Sequence, residues 1–198
     1  MSEKGKGFWF RFICSAGLAG LLVGCATGNV KFGDTKSDKG DMSAYKTVAI
    51  TVINDIGEDC PLDVPENLQA AAIAQMNSKY PGKFEDVRPA PAGVENELLA
   101  EVHIIKYKKG SRFARAMLIG LGASKISTTV NMMDSPTKTL LNSGNLDLTW
   151  AIGGAMGASK GIEDLVDDAG SKIAGAIVAF KDGTEQVASD ADTSRKRM

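Results

Sequence analysis

The amino-acid sequence predicts an α+β domain: a small mixed β-sheet of about four strands with helices packed on one face, in the order β-α-β-(α)-β-β-α. Three observations predict it. Residues 45–53, YKTVAITVI, are rich in β-branched side chains and apolar on both faces, the pattern of a strand inside a sheet. Residues 125–151 alternate apolar and polar on either side of a proline turn, the pattern of a hairpin with one buried face. Ile162, Leu165, Val166, Ala169, Ile173, Ala176, Ile177 and Phe180 fall on one helical stripe, which needs a sheet to cover.

Composition sets the bounds. A chain of 198 residues, 43% hydrophobic and 24% charged, is long enough for one domain with a sizeable core. Without its first 24 residues it would carry 23 acidic side chains against 20 basic ones. A nucleic-acid partner would call for a basic face or stripe, and this balance offers none. No stretch reaches the roughly 18 unbroken apolar residues of a membrane-spanning helix.

Residues 1–24 fall into three zones: a basic start with Lys4, Lys6 and Arg11, an apolar stretch over 12–23, and the small Gly24 ahead of Cys25. That is the layout of a secretory signal peptide. Arg11 makes the alternative of an uncleaved membrane helix expensive. Leu22-Val23-Gly24-Cys25 also resembles the lipobox of bacterial lipoproteins. The resemblance implies cleavage between Gly24 and Cys25, a diacylglyceryl group on the Cys25 thiol and an acylated new amino terminus. The chemistry suits that order, since a thiol is the good nucleophile available and Gly24 leaves the peptide bond accessible. Each buried methylene contributes about 0.8 kcal/mol and a single chain anchors only marginally, so three fatty chains would hold the protein on the membrane for good. Ala26, where an aspartate would favour inner-membrane retention, implies the outer membrane by resemblance to that sorting pattern. Cys14 would leave with the signal, so Cys60 remains alone and no internal disulfide is expected. With no basic neighbour in sequence to activate it, Cys60 reads as a packing residue.

Residues 25–44 follow as the lipidated cysteine and a tether, glycine-rich with interleaved charges, expected to be flexible with a reach of roughly 25 Å. The domain spans 45–180. After its first strand, Asp63, Pro65 and Glu66 mark a helix start, with Asp63 as a capping carboxylate. The helix should run to about Tyr80, burying Leu68, Ala71, Ala72 and Met76, and Pro81-Gly82 stops it. The strand over 98–107 should turn Ala100, Val102 and Ile104 one way and Glu101, His103, Ile105 and Tyr107 the other. Gly110-Ser111 opens a short, mostly apolar helical segment over 112–121, closed by Gly120 and Gly122. In the hairpin, Ile126, Thr128, Val130 and Met132 pair their face with Leu146, Leu148 and Trp150 across the turn at Asp134–Thr137, and Ser143-Gly144 marks a bulge. A glycine-rich loop over 153–161 precedes the last helix, and residues 181–198 form a polar tail expected to be disordered.

The opening "YKTVAI", the stretch "KYKKGSRFARAMLIGLGASK", the hairpin "STTVNMMDSPTKTLL" and the glycine loop before a final amphipathic helix together resemble a family of small bacterial lipoproteins that share a domain of unknown function, DUF4410. The resemblance covers roughly residues 45–180. It implies the fold and an envelope location, and no catalytic residue.

Candidate chemistry is sparse. "GASK" occurs at 122–125 and 157–160, but neither copy has the two spaced glycines, lysine and following hydroxyl of a phosphate-binding loop. His103 is the single histidine, which removes most metal-ligand sets and nucleophile–base pairs; beside Glu101 it reads as a satisfied sheet histidine. Glu163, Asp164, Asp167 and Asp168 read as a solvated flank in the first turns of a helix, where carboxylates favour the positive end of the dipole. Arg112 and Arg115, next to Phe113, Met117 and Leu118, form a basic and apolar element able to contact an anion or a partner. No cofactor, metal or catalytic residue is expected. The reading is therefore a non-enzymatic lipoprotein of the cell envelope, membrane-bound through Cys25, facing the periplasm and binding or scaffolding another envelope component. The alternative is a tethered carrier of a small ligand or lipid, with Ile105, Tyr107 and Met133 in a pocket on the sheet face away from the helices.

Overall fold

A computed structural model describes residues 30–32, 42–111, 122–150 and 162–184. Its elements are β1 (Lys31–Phe32), β2 (Thr47–Asn54), α1 (Asp63–Lys79), β3 (Asp86–Arg88), β4 (Glu97–Lys108), β5 (Ser124–Asp134), β6 (Leu140–Trp150) and α2 (Ile162–Lys181). The strands form one mixed sheet in the order β1-β6-β5-β4-β2-β3. β2 lies parallel to both β3 and β4, and the remaining pairs are antiparallel. The α+β class and the hairpin stand as expected from sequence. The sheet has six strands among the described residues in place of about four, because two short edge strands join it.

Both edges correct the sequence reading. Lys31–Phe32 falls inside the segment expected to be a flexible tether, yet it pairs with Asn145 and Gly144, and Val30 beside it is buried. Asp86–Arg88 extends the far edge by pairing with Thr47–Ala49. A two- or three-residue strand has too few positions for its alternation to show; what holds it is the neighbour that it meets in space.

The core lies between one sheet face and the helices. Val48, Ile50, Leu98, Ala100, Val102, Ile104, Val130, Met132, Leu146 and Leu148 supply the sheet side. From α1 come Val64, Leu68, Ala72 and Met76, at intervals of one turn, and from α2 Leu165, Ala169, Ile173, Ala176 and Ile177. The two helices touch closely at Gly170: a Cβ there would stand 2.8 Å from Ala71 Cβ and from the Ala72 amide nitrogen. Described side chains of α1 and α2 thus follow the stripes read from sequence, except that Ala71 and Phe180 are only half buried.

Four local expectations change. Asp63 is the first residue of α1 and Leu62 holds the cap position without a side-chain cap, so the carboxylate serves instead as acceptor for Asn67, at 3.3 Å. The bulge in the hairpin sits at Leu141, where the register slips between Met132–Asn142 and Met133–Leu140, and Gly144 has another use, the seating of β1. A second slip, at Ile105 in β4, pairs Lys106 with Ser127 and Tyr107 with Ile126. One extra residue reverses the facing of everything after it, so Tyr107 packs with the core and Lys106 points to the open face. Finally, the segment assigned to the disordered tail begins with an ordered lysine. Lys181 Nζ donates to the carbonyls of Tyr45 and Lys83, both at 2.6 Å, and lies 4.1 Å from the Phe84 ring centroid.

Candidate functional site: the open face of the sheet

The middle of the face away from the helices is polar, while Leu99 and Met133 stand on it towards the hairpin turn. Alternation along β4, β5 and β6 brings Glu101, His103, Lys125, Ser127, Thr129, Asn131, Ser143, Asn145 and Asp147 to it, in direct cross-strand register. The side chains bond sideways. Ser143 Oγ donates to Asn131 Oδ1 at 2.7 Å, Thr129 Oγ1 to Asn145 Oδ1 at 3.0 Å, and Ser127 Oγ to Asp147 Oδ1, which also pairs with Lys125 Nζ at 3.2 Å. The Ser127 hydrogen bond is the main reason that the Asp147 carboxyl is held below its usual range; partial burial opposes it, and Lys125 and Lys106 add to it.

His103 lies at the β2 side of this face with both ring nitrogens engaged. Nδ1 is 2.9 Å from Asp55 Oδ2 and Nε2 is 2.9 Å from Glu101 Oε1. Glu101 comes from the same strand two positions away, and Asp55 follows the end of β2, whose Ile53 pairs with His103. Partial burial works against the imidazolium, but the hydrogen bonds and charges of the two carboxylates outweigh it and push the pKa up. With both ring nitrogens taken up by carboxylates, neither is free to accept a proton from a hydroxyl. The sequence reading of a satisfied sheet histidine describes this geometry; Asp55 was the partner it missed, since only the parallel β2–β4 pairing brings the two together.

At one rim of the sheet Glu97 is wholly buried. Its carboxylate accepts from Ser135 Oγ at 2.6 Å and from the amides of Ala92 and Gly93 at 2.9 and 2.8 Å, and Arg88 Nη1 stands 3.7 Å away. Burial alone would raise its pKa; the donors and the guanidinium reverse that and bring it below the usual carboxylate range. This is a strap joining β3, the 89–96 loop and the hairpin turn. At the opposite rim the β4–β5 connection leaves and returns through a neck: Ser111 N donates to Gly122 O at 2.9 Å, Ser124 Oγ to Lys109 O at 2.5 Å, and Gly110 and Gly122 both have positive φ. A Cβ on Gly110 would collide with the Gly122 carbonyl, so the neck requires glycine there.

Of the residues singled out from sequence, Gly24, Cys25, Arg112 and Arg115 lie outside the described residues, as do the helix expected over 112–121 and the loop over 153–161. Cys60 is buried, and burial together with Asp63 pushes its thiol pKa up, away from reactivity. Glu163 and Asp167 are exposed on the flank of α2, Asp164 and Asp168 half buried. The pocket expected to include Ile105, Tyr107 and Met133 loses Tyr107, which faces the helices. Among the described residues no group of three or more His, Cys, Asp and Glu side chains is placed to hold a metal ion.

A family model described as a domain of unknown function, DUF4410, matches residues 57–176. The chain belongs to this family. No curated protein matches it. Among solved structures, the PelC dodecamer from Paraburkholderia phytofirmans is similar at 16% identity, with 79% of this chain and 97% of that one covered and a TM-score of 0.47. Protein XCC0632 from Xanthomonas campestris is 8% identical over 70% of this chain and 86% of its own, with a TM-score of 0.48. A Caulobacter crescentus CB15 protein described as a lipoprotein is 13% identical over 74% and 96%, with a TM-score of 0.40. These are distant likenesses in chain path.

Proposed function

We propose that this DUF4410 protein is a lipid-anchored, non-enzymatic component of the cell envelope, held through acylated Cys25 on the outer membrane and facing the periplasm, where it binds or scaffolds another envelope component. The observation that carries the reading is the Leu22-Val23-Gly24-Cys25 pattern closing a basic and then apolar leader. Support comes from the open face as well. Several of its side chains hydrogen-bond to one another across the strands on a broad surface, and its histidine is held between two carboxylates, an arrangement fitted to recognition more than to proton transfer. Arg112 and Arg115, carried by the segment between the two halves of the glycine neck, are the contact residues of this reading.

Two measurements test it. Intact mass of the protein purified from membranes should show Met1 to Gly24 removed and acyl chains on Cys25, and Cys25→Ala should leave the protein out of the membrane fraction. Crosslinking in native envelopes should capture a defined partner that the double variant Arg112→Glu/Arg115→Glu no longer captures. Unchanged capture counts against that element, and an unacylated Cys25 against the anchor.

A further inference from the structure

The stretch between Cys25 and the sheet is short. Residues 26–29 separate the cysteine from Val30, which is buried, and from Lys31 and Phe32, which pair with Asn145 and Gly144. Gly144 is the seat: a Cβ there would stand 2.7 Å from Phe32 Cδ1 and 2.9 Å from Val30 Cγ1. Phe32 also packs on Phe180, with ring centroids 6.3 Å apart. Direction follows from the pairing. β1 is antiparallel to β6, so Val30 and Lys31 enter the sheet from the Trp150 end of β6, and the register carries that end across to Ser124 and then to Lys108. Five residues span at most about 18 Å when fully extended. The four positions from Leu146 to Trp150 cover about 13 Å of strand.

We infer that the Trp150–Ser124–Lys108 end of the sheet lies against the surface of the bilayer that holds Cys25, with the turn between Asp134 and Leu140 pointing away from it. The inference rests on the lipid anchor proposed above and adds an orientation to it. A freely jointed tether would leave the domain to tumble; a segment seated on Gly144 fixes one end of the sheet close to the headgroups and the other end about 36 Å further off, the length of an eleven-residue strand. Among the described residues the near end exposes Lys106, Lys108 and Lys109 and, at the start of α2, Glu163. The orientation is assigned to the short lead and not to these charges, so zwitterionic lipid suffices for it.

The test uses the full, natively lipidated chain in phosphatidylcholine vesicles. In a Cys60→Ala background, a fluorophore is placed at Lys108→Cys or at Pro136→Cys and quenched by nitroxide on the lipid headgroups. The Lys108 position should be quenched several-fold more strongly than the Pro136 position. Vesicle-bound protein with equal or reversed quenching overturns the orientation alone, whereas protein that fails to float with the vesicles overturns the anchor and the orientation with it. Inserting ten Gly/Ser residues between Asn29 and Val30 should level the two signals while flotation persists, and Gly144→Val, which crowds Val30 and Phe32, should do the same. A contrast that survives the insertion shows that the short lead does not set the orientation.

Discussion

At the scale of single residues, two ionisable groups should make stability depend on pH in opposite senses. Glu97 has its pKa lowered in the fold, so its contribution is present above the ordinary carboxylate value of about 4.3 and is lost as pH falls through the folded value. Glu97→Ala strands the donors of Ser135, Ala92 and Gly93 and should cost about 2–3 kcal/mol near neutral pH, read from the urea midpoint. Glu97→Gln should flatten the decline in the midpoint as pH falls below about 5. His103 has its pKa raised, so its contribution is complete below about 6.5 and is lost as pH rises through the folded value. Because the cluster is partly exposed, His103→Gln should destabilise by only about 0.5–1 kcal/mol near pH 5.5 and by much less near pH 9. Sequence showed part of the histidine cluster and did not single out Glu97 at all. The Glu101–His103 spacing of two places both on one strand face, but Asp55, Ser135 and Arg88 arrive from other elements, and nothing local in the chain announces them.

At the scale of elements, the long pieces were legible because their periodicity is long. Seventeen residues of α1 and twenty of α2 give several turns over which an apolar stripe repeats, and the eleven-residue strands of the hairpin give several alternations. The errors sit where periodicity breaks: one extra residue at Ile105 turned Tyr107 over, one at Leu141 moved the bulge, and the edge strands were too short to alternate at all. Glycine was legible as punctuation at Gly110 and Gly122, but not as clearance at Gly170 or Gly144, which is a property of two elements meeting. Gly170→Val should accordingly destabilise by about 1–3 kcal/mol through forced separation of α1 and α2. A smaller loss in the thermal midpoint than in a surface control such as Ala74→Val would contradict that close approach.

At the scale of the whole molecule, the class of fold followed from the order of periodicities and the single core from the facing of stripes. Strand order did not, since the parallel β2–β4 pair and the crossing of β1 to the far edge depend on which surfaces remain open once the helices have covered one face. The sheet's topology also dictates a timetable. Lys31 is made before nearly all of the domain, yet it has no place to bind until Asn145 exists and the hairpin has closed, because its partner strand is the last of the six. The Val30–Phe32 segment therefore docks only as a closing act, once its partner strand has joined the sheet.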